Sequence, residues 1–91
     1  FHLIEAMAAA GEAEGLDREL ALRLARATVS GAGELARISE DPPSVLRENV
    51  TSPNGTTAAA LEVLMDENSG LPPLMARAIR AAAARSKELS Q

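Results

Sequence analysis

The residues best suited to chemistry in this chain lie in one run, Val50–Leu61, which reads VTSPNGTTAAAL. Ser52, Thr56 and Thr57 bring hydroxyls close together in the chain, and Gly55 has no side chain to keep a ligand from the backbone. An Ala-rich helical pattern follows at once. A helix therefore starts here, and the N–H groups of its first turn have no partner within the helix. Those amides, with the helix dipole, attract anions, and hydroxyls can donate to a carboxylate or a phosphate. The run contains no Lys or Arg, and the nearest basic residue before it is Arg47. That favours a single carboxylate over a polyphosphate. No Gly-Lys-Ser/Thr follows, so this is not a phosphate-binding P-loop. Ser52, Gly55, Thr56 and Thr57 are the candidate ligands of one small anion. A plainer reading stands beside this one: Ser52 as an N-cap with Pro53 at the first helical position. Asn54-Gly55 is also a common turn dipeptide, although the strands that would make it a hairpin are missing.

Other groups with chemical potential read as structural. His2 is the one histidine, and Glu5 merely shares its side of a helix. Asp66 and Glu67 are adjacent, so they point different ways on a helix; they read as solvated carboxylates, and no metal ligands are assigned. Arg77, Arg80, Arg85 and Lys87 run from the middle of the last helix to its end, and positive charge at that end suits the dipole. Met7, Met65 and Met75 fall on apolar faces as core or interface filler. The absence of cysteine removes any disulfide framework or Cys-based metal site.

The elements that must position the loop are helical. Phe1, Ile4, Met7 and Ala8 recur at helical spacing, which predicts a first helix from Phe1 to about Glu14 with Gly15 as its left-handed C′ residue. Asp17 is the expected N-cap of a second helix running to about Ser39. Leu20, Leu24, Thr28, Gly31, Leu35 and Ile38 form one stripe of it, with Glu19, Arg23, Arg26, Ser30 and Arg37 opposite. Glu19 and Arg23 are spaced as an i,i+4 ion pair. Two glycines in its centre, Gly31 and Gly33, cost about 1 kcal/mol each against Ala. A continuous helix carrying them needs small residues for the close approach of another helix; the alternative is a break at one of the two. Asp41-Pro42-Pro43 reads as an N-cap followed by Pro at the first helical position, starting a short helix to about Asn49. A fourth helix is expected from about Gly55 to Asn68, with Leu61, Leu64 and Met65 on one face. Gly70 and Pro72-Pro73 separate it from a last helix, about Pro72 to Leu89, whose apolar side is Leu74, Met75, Ala78, Ile79 and Ala82. No alternating β-branched or aromatic run occurs. The fold class is all-α with about five helices, in one domain spanning residues 1–91.

Composition narrows the partners. The net charge is −4 and no basic cluster exists, which argues against nucleic acid, because phosphate neutralisation supplies most of that affinity. No apolar run approaches the ~18 residues of a membrane span, and no signal peptide is visible; a cytoplasmic location is expected. The chain has one Phe, no Trp and no Tyr, and its many alanines bury little area each. A core built from these alone is marginal, since each buried Leu contributes only about 1.5–3 kcal/mol. The expectation is a helical bundle interlocked with, and completed by, a second copy of the chain. Phe1-His2-Leu3-Ile4 reads as helix with no start signal before it and no Met, which suggests a piece of a longer protein.

Val50-Thr51-Ser52-Pro53-Asn54-Gly55-Thr56-Thr57, with the Ala-rich helix and Leu61 after it, resembles the signature loop of the pyrroline-5-carboxylate reductase family. That loop usually reads Thr/Ser-Ser-Pro-Gly-Gly-Thr/Ala-Thr. Phe1–Gly15, FHLIEAMAAAGEAEG, with Leu16–Leu24 looks like the family's first dimerisation helix and the start of its second. Arg85-Ser86-Lys87-Glu88-Leu89 looks like its C-terminal ending. The resemblance covers nearly the whole chain, but only the family's helical C-terminal domain. It implies NAD(P)H-dependent reduction of Δ1-pyrroline-5-carboxylate to L-proline, the last step of proline synthesis, with substrate held between this domain and a nicotinamide-binding Rossmann domain. Carried over by position, Ser52 and the backbone amides around Gly55, Thr56 and Thr57 would receive the substrate carboxylate. The Thr57 hydroxyl would lie near the ring nitrogen as the catalytic group. Asn54 departs from the family's first Gly; Asn tolerates the left-handed conformation better than most residues.

No GxGxxG-like run is present, so no cofactor-binding residue is assigned and the chain alone is expected to be inactive. NADP or NAD belongs to the parent enzyme's other domain, with the residues that choose between them. A homodimer is implied, with the stacking of dimers into larger rings left open. Two alternatives remain at this level: a non-catalytic helical homodimerisation module without ligand, and, against the charge, a helical DNA-binding or regulatory module.

Overall fold

The computed structural model describes residues 1–91. It contains five helices and no strand: α1 His2–Ala13, α2 Arg18–Ile38, α3 Pro43–Asn49, α4 Thr56–Leu64 and α5 Leu71–Leu89. The chain divides into two packed units, Phe1–Leu46 and Arg47–Gln91.

The first unit is built on an antiparallel pair, α1 and α2. The turn between them follows from the sequence. Gly15 takes φ 104°, a conformation that glycine adopts readily and residues with a side chain do not. Its N–H donates to Glu12 O at 3.0 Å, and the Leu16 N–H donates to Gly11 O at 3.1 Å. This pair of bonds is the Schellman closure of a helix end. Two residues on, Asp17 caps α2 by accepting from the Leu20 amide at 3.3 Å. Small residues meet across the pair: Gly11 lies against Leu16 and Ala21, and Ala21 and Ala25 are the chain's two buried apolar residues. The helix α2 runs unbroken through Gly31 and Gly33. Open space surrounds both glycines, so within one chain nothing uses the close approach they permit.

The ion pairs differ from the expected one. Glu19 and Arg23 do not pair; Glu12 with Arg18, Glu34 with Arg37, and Arg85 with Glu88 do. A single exposed i,i+4 spacing is worth a few tenths of a kcal/mol, too little to fix two long side chains. His2 has a partner after all, Nδ1 lying 3.1 Å from Glu5 Oε1, but at 92% and 76% exposure the pair adds little.

One helix start and one helix end move from their sequence-based positions, while α4 starts at Thr56 behind Gly55, where it was expected. The α3 helix begins at Pro43, with the Pro42 carbonyl accepting from Val45 and Leu46. Asp41 is therefore not its cap. A residue before proline is disfavoured in the helical region, so Pro42 stays outside and the second proline becomes the first helical residue. Asp41 instead donates its N–H to Ser39 Oγ at 3.1 Å. The start of α4 is described below. Its end comes at Leu64 rather than Asn68, because the Asp66 carboxylate takes the backbone of the next turn. Asp66 Oδ1 accepts from the N–H groups of Asn68 and Ser69, both at 2.8 Å, and from the Ser69 hydroxyl at 3.1 Å. Asp side chains compete with helix in this way.

Large apolar side chains remain uncovered. Leu24, Leu35 and Ile38 on α2 and Leu74, Met75 and Ile79 on α5 are all exposed. The accessible surface is 7673 Å². A folded chain of this mass exposes about 5,000 Å², and even two separately folded halves expose about 3,000 Å² each. No helix is long and apolar enough to cross a membrane.

Candidate functional site

The loop between α3 and α4 is positioned from both ends. At the α3 end, the N–H groups of Val50 and Thr51 donate to Arg47 O at 3.3 Å and Glu48 O at 3.1 Å. The Thr51 hydroxyl donates to Arg47 O at 2.6 Å. Thr51 carried no role in the sequence reading; the signal available was a hydroxyl residue just past a helix end, four positions from a carbonyl in need of a donor.

Ser52–Gly55 then form a tight turn in which the Gly55 N–H donates to Ser52 O at 3.0 Å. Pro53 sits at its second position, where its fixed φ is an advantage, and Asn54 at its third, with φ 60°. A positive φ there marks a type II turn and favours Gly or Asn. Asn54 meets that backbone demand as a residue that tolerates the left-handed conformation better than most.

The α4 helix begins at Thr56 with Gly55 as N-cap, in extended conformation, and no side chain caps it. The plainer sequence reading, Ser52 as cap with Pro53 opening the helix, is thus not what forms: the turn intervenes. The first backbone bond of α4 is Ala59 N–H to Gly55 O, 3.1 Å. The N–H groups of Thr56, Thr57 and Ala58 accordingly have no acceptor within the chain. The Gly55 N–H, counted with the anion-facing amides from the sequence, is instead committed to Ser52 O. Gly55 contributes by lacking a Cβ, which would stand 3.2 Å from Ser52 O. Ser52 and Thr56 are exposed, Gly55 and Thr57 half-buried. None of the Ser52, Thr56 and Thr57 hydroxyls is tied to another group of the chain. Three free amides and three free hydroxyls around one helix start can receive a small anion.

Two surface grooves are lined by residues of the first unit and by none of the loop. A groove of about 490 Å³ on the α1–α2 pair is lined by Phe1, Ile4, Glu5, Leu22 and Arg26. It shares no residue with the loop and is mainly apolar. No cluster of His, Cys, Asp and Glu has metal-binding spacing.

The family model described as pyrroline-5-carboxylate reductase dimerisation matches residues 1–89. The chain belongs to this family. It is 46% identical over 91 residues to the pyrroline-5-carboxylate reductase of Pseudomonas aeruginosa, covering 100% of the chain and 33% of that relative. It is 48% identical over 87 residues to the enzyme of that name from Pisum sativum, covering 96% and 31%. Among solved structures it is similar to the crystal structure of Plasmodium falciparum pyrroline carboxylate reductase with NADP bound. That match has TM-score 0.87 and 35% identity, and covers 97% of this chain and 33% of that one. The chain therefore spans about a third of the length of the family members it matches.

Proposed function

We propose that residues 1–91 are the dimerisation and substrate-carboxylate-binding domain of a pyrroline-5-carboxylate reductase, an enzyme that reduces 1-pyrroline-5-carboxylate to L-proline with NAD(P)H. The observation that carries this reading is the family match across residues 1–89. The uncapped start of α4 supports it from the side of the chemistry, and the surplus apolar surface supports it from the side of assembly.

Within this reading the substrate carboxylate docks on the N–H groups of Thr56, Thr57 and Ala58 and the Ser52 and Thr56 hydroxyls, assisted by the α4 dipole. Thr57 is the catalytic residue: its hydroxyl faces the ring nitrogen and helps place the proton that the imine gains. Fixing the carboxylate fixes the imine carbon, and such positioning is the larger share of what this domain contributes. Residues 1–91 hold no glycine-rich strand–turn–helix of the dinucleotide-binding kind, so they do not fit the cofactor. NADP or NAD belongs to another part of the parent enzyme and supplies the hydride when bound. The exposed faces of α2 and α5 are covered by a second copy, giving an interlocked homodimer in the cytoplasm.

The deciding experiment is an assay of the full-length protein for pyrroline-5-carboxylate-dependent oxidation of NADPH and NADH, with its mass measured in solution. Turnover by a dimer or a multiple of dimers is expected, and residues 1–91 alone are expected to give none. A full-length protein that dimerises but does not consume the imine would overturn the enzymatic reading.

A further inference from the structure

We propose that Asn54 is a site of spontaneous deamidation, and that the carboxylate it gains closes the anion site to substrate. The functional half of this proposal rests on the carboxylate-cradle reading above.

Asn54 is exposed and is followed by Gly55, so no side chain shields the backbone nitrogen that would attack it. The other two asparagines are placed differently. Asn49 ends α3 and precedes β-branched Val50, and Asn68 precedes Ser69 in a turn where both N–H groups are held by Asp66 Oδ1. At Asn54 the step is self-contained. The Gly55 nitrogen gives its proton to solvent and bonds to Asn54 Cγ. The Cγ–Nδ2 bond breaks, and Nδ2 leaves as ammonia with a proton from water. Water then opens the five-membered imide at either carbonyl, leaving aspartate or isoaspartate. No oxidant or reductant is involved.

The fold sets the rate. The Gly55 N–H is bonded to Ser52 O at 3.0 Å, so the attack needs the turn to open. One hydrogen bond holds that turn, and Asn54 at φ 60° carries more strain than glycine would, though less than most residues. A carboxylate bound to the amides of Thr56–Ala58 would hold the helix start and slow the opening. Once formed, the new carboxylate sits one residue before the Gly55 N-cap of α4, a helix start whose free amides favour negative charge. It then competes with the substrate's own carboxylate from within the chain.

The test is to age the full-length protein in warm, mildly alkaline buffer and follow its asparagine peptides by mass spectrometry, with isoaspartate detection. The Asn54 peptide is expected to gain the mass of amide-to-acid conversion well before those of Asn49 and Asn68, and more slowly with L-proline present. KM for the imine should rise on the order of tenfold in the modified protein, with kcat changed less. The Asn54→Asp variant should start with the raised KM, and the Asn54→Gly variant should hold its initial KM throughout. Conversion at Asn54 no faster than at Asn49 and Asn68 overturns the modification site. Conversion with KM unmoved leaves the modification standing and overturns its competition with substrate, without touching the cradle itself.

Discussion

The Gly55 amide donates to the Ser52 carbonyl across the Pro53–Asn54 turn at 3.0 Å, and this bond fixes where α4 begins. Without the turn, Ser52 and Pro53 would make an ordinary capped start, with the serine hydroxyl consumed by the backbone. With it, the helix starts three residues later behind a glycine that offers no cap, and the first three amides of α4 remain available.

Thr57 lies at the second position of α4, half-buried, with its hydroxyl unengaged. If Thr57 has the catalytic role proposed above, Thr57→Ala in the full-length protein should lower kcat on the order of a hundredfold, the scale of a lost proton-transfer partner. Folding should be almost unaffected, since Ala is at least as good a helix former as Thr. Steady-state kinetics and a thermal melt on the same preparation separate the two effects. Unchanged kcat would remove Thr57 from the chemistry.

Gly70 is buried at the start of α5. A Cβ there would collide with the Leu64 carbonyl and stand 2.6 Å from Asp66 O and 2.7 Å from Asp66 N. Its φ of −88° is open to any residue, so the requirement for glycine is purely one of space. The contacts are with backbone, which cannot rotate away. Gly70→Ala should therefore destabilise by about 3 kcal/mol, the upper range for overpacking, read as a lowered denaturant midpoint. The φ 104° glycine, Gly15, gives a contrast. Open space surrounds it, so its alanine variant should lose only the conformational cost, about 1 kcal/mol.

Much of this was legible from residue types. Helical spacing and start signals placed all five helices, the third from its Asp-Pro-Pro alone; Gly15 and Asp17 marked the turn between the first two, and the shortage of aromatic residues foretold a thin core. The misplacements share one cause. Helix limits are settled by which group reaches a backbone N–H first, and spacing alone does not reveal that. Asp66 is exposed, as read, but spacing did not show that its oxygen also takes two amides and a hydroxyl. The double proline admitted two starts, and only the restriction on a pre-proline residue chooses the second. At the site, hydroxyls, glycine and helix start were visible. The commitment of the Gly55 amide and the Thr51 anchor to Arg47 were not, because both are i,i+3 or i,i+4 bonds of a loop with no periodic pattern.

Asp66 also predicts an acid response. The Asn68 and Ser69 amides, with the Ser69 hydroxyl, hold its carboxyl below the usual aspartate range. The unfolded chain then takes up the proton first. The turn's contribution to stability is complete above about pH 4, declines as pH falls through the lowered folded-state value, and is absent beneath it. Asn offers the same accepting oxygen without the charge. Thermal midpoints of the Asp66→Asn variant and the parent should therefore differ at neutral pH, with the parent higher, and converge in acid. Curves that stay parallel down to about pH 2 would show that the charge at position 66 plays no part.

Leu35 and Ile38 close the exposed stripe of α2 at 48% and 60% exposure, beyond the glycines that leave its middle open to approach. A single chain gives this stripe nothing to cover it, so its apolar character has value only against another surface. If that surface is the same face of a second copy, a charge at position 35 is buried without a partner in the dimer and solvated in the monomer. Leu35→Glu should then weaken dimerisation by at least about 3 kcal/mol, on the order of a hundredfold in Kd. Glu40→Lys, a charge change just past the helix end, should leave Kd within a few-fold. Sedimentation equilibrium across a dilution series distinguishes them. A Leu35→Glu protein that stays dimeric at the parent's Kd would place the interface elsewhere on the chain.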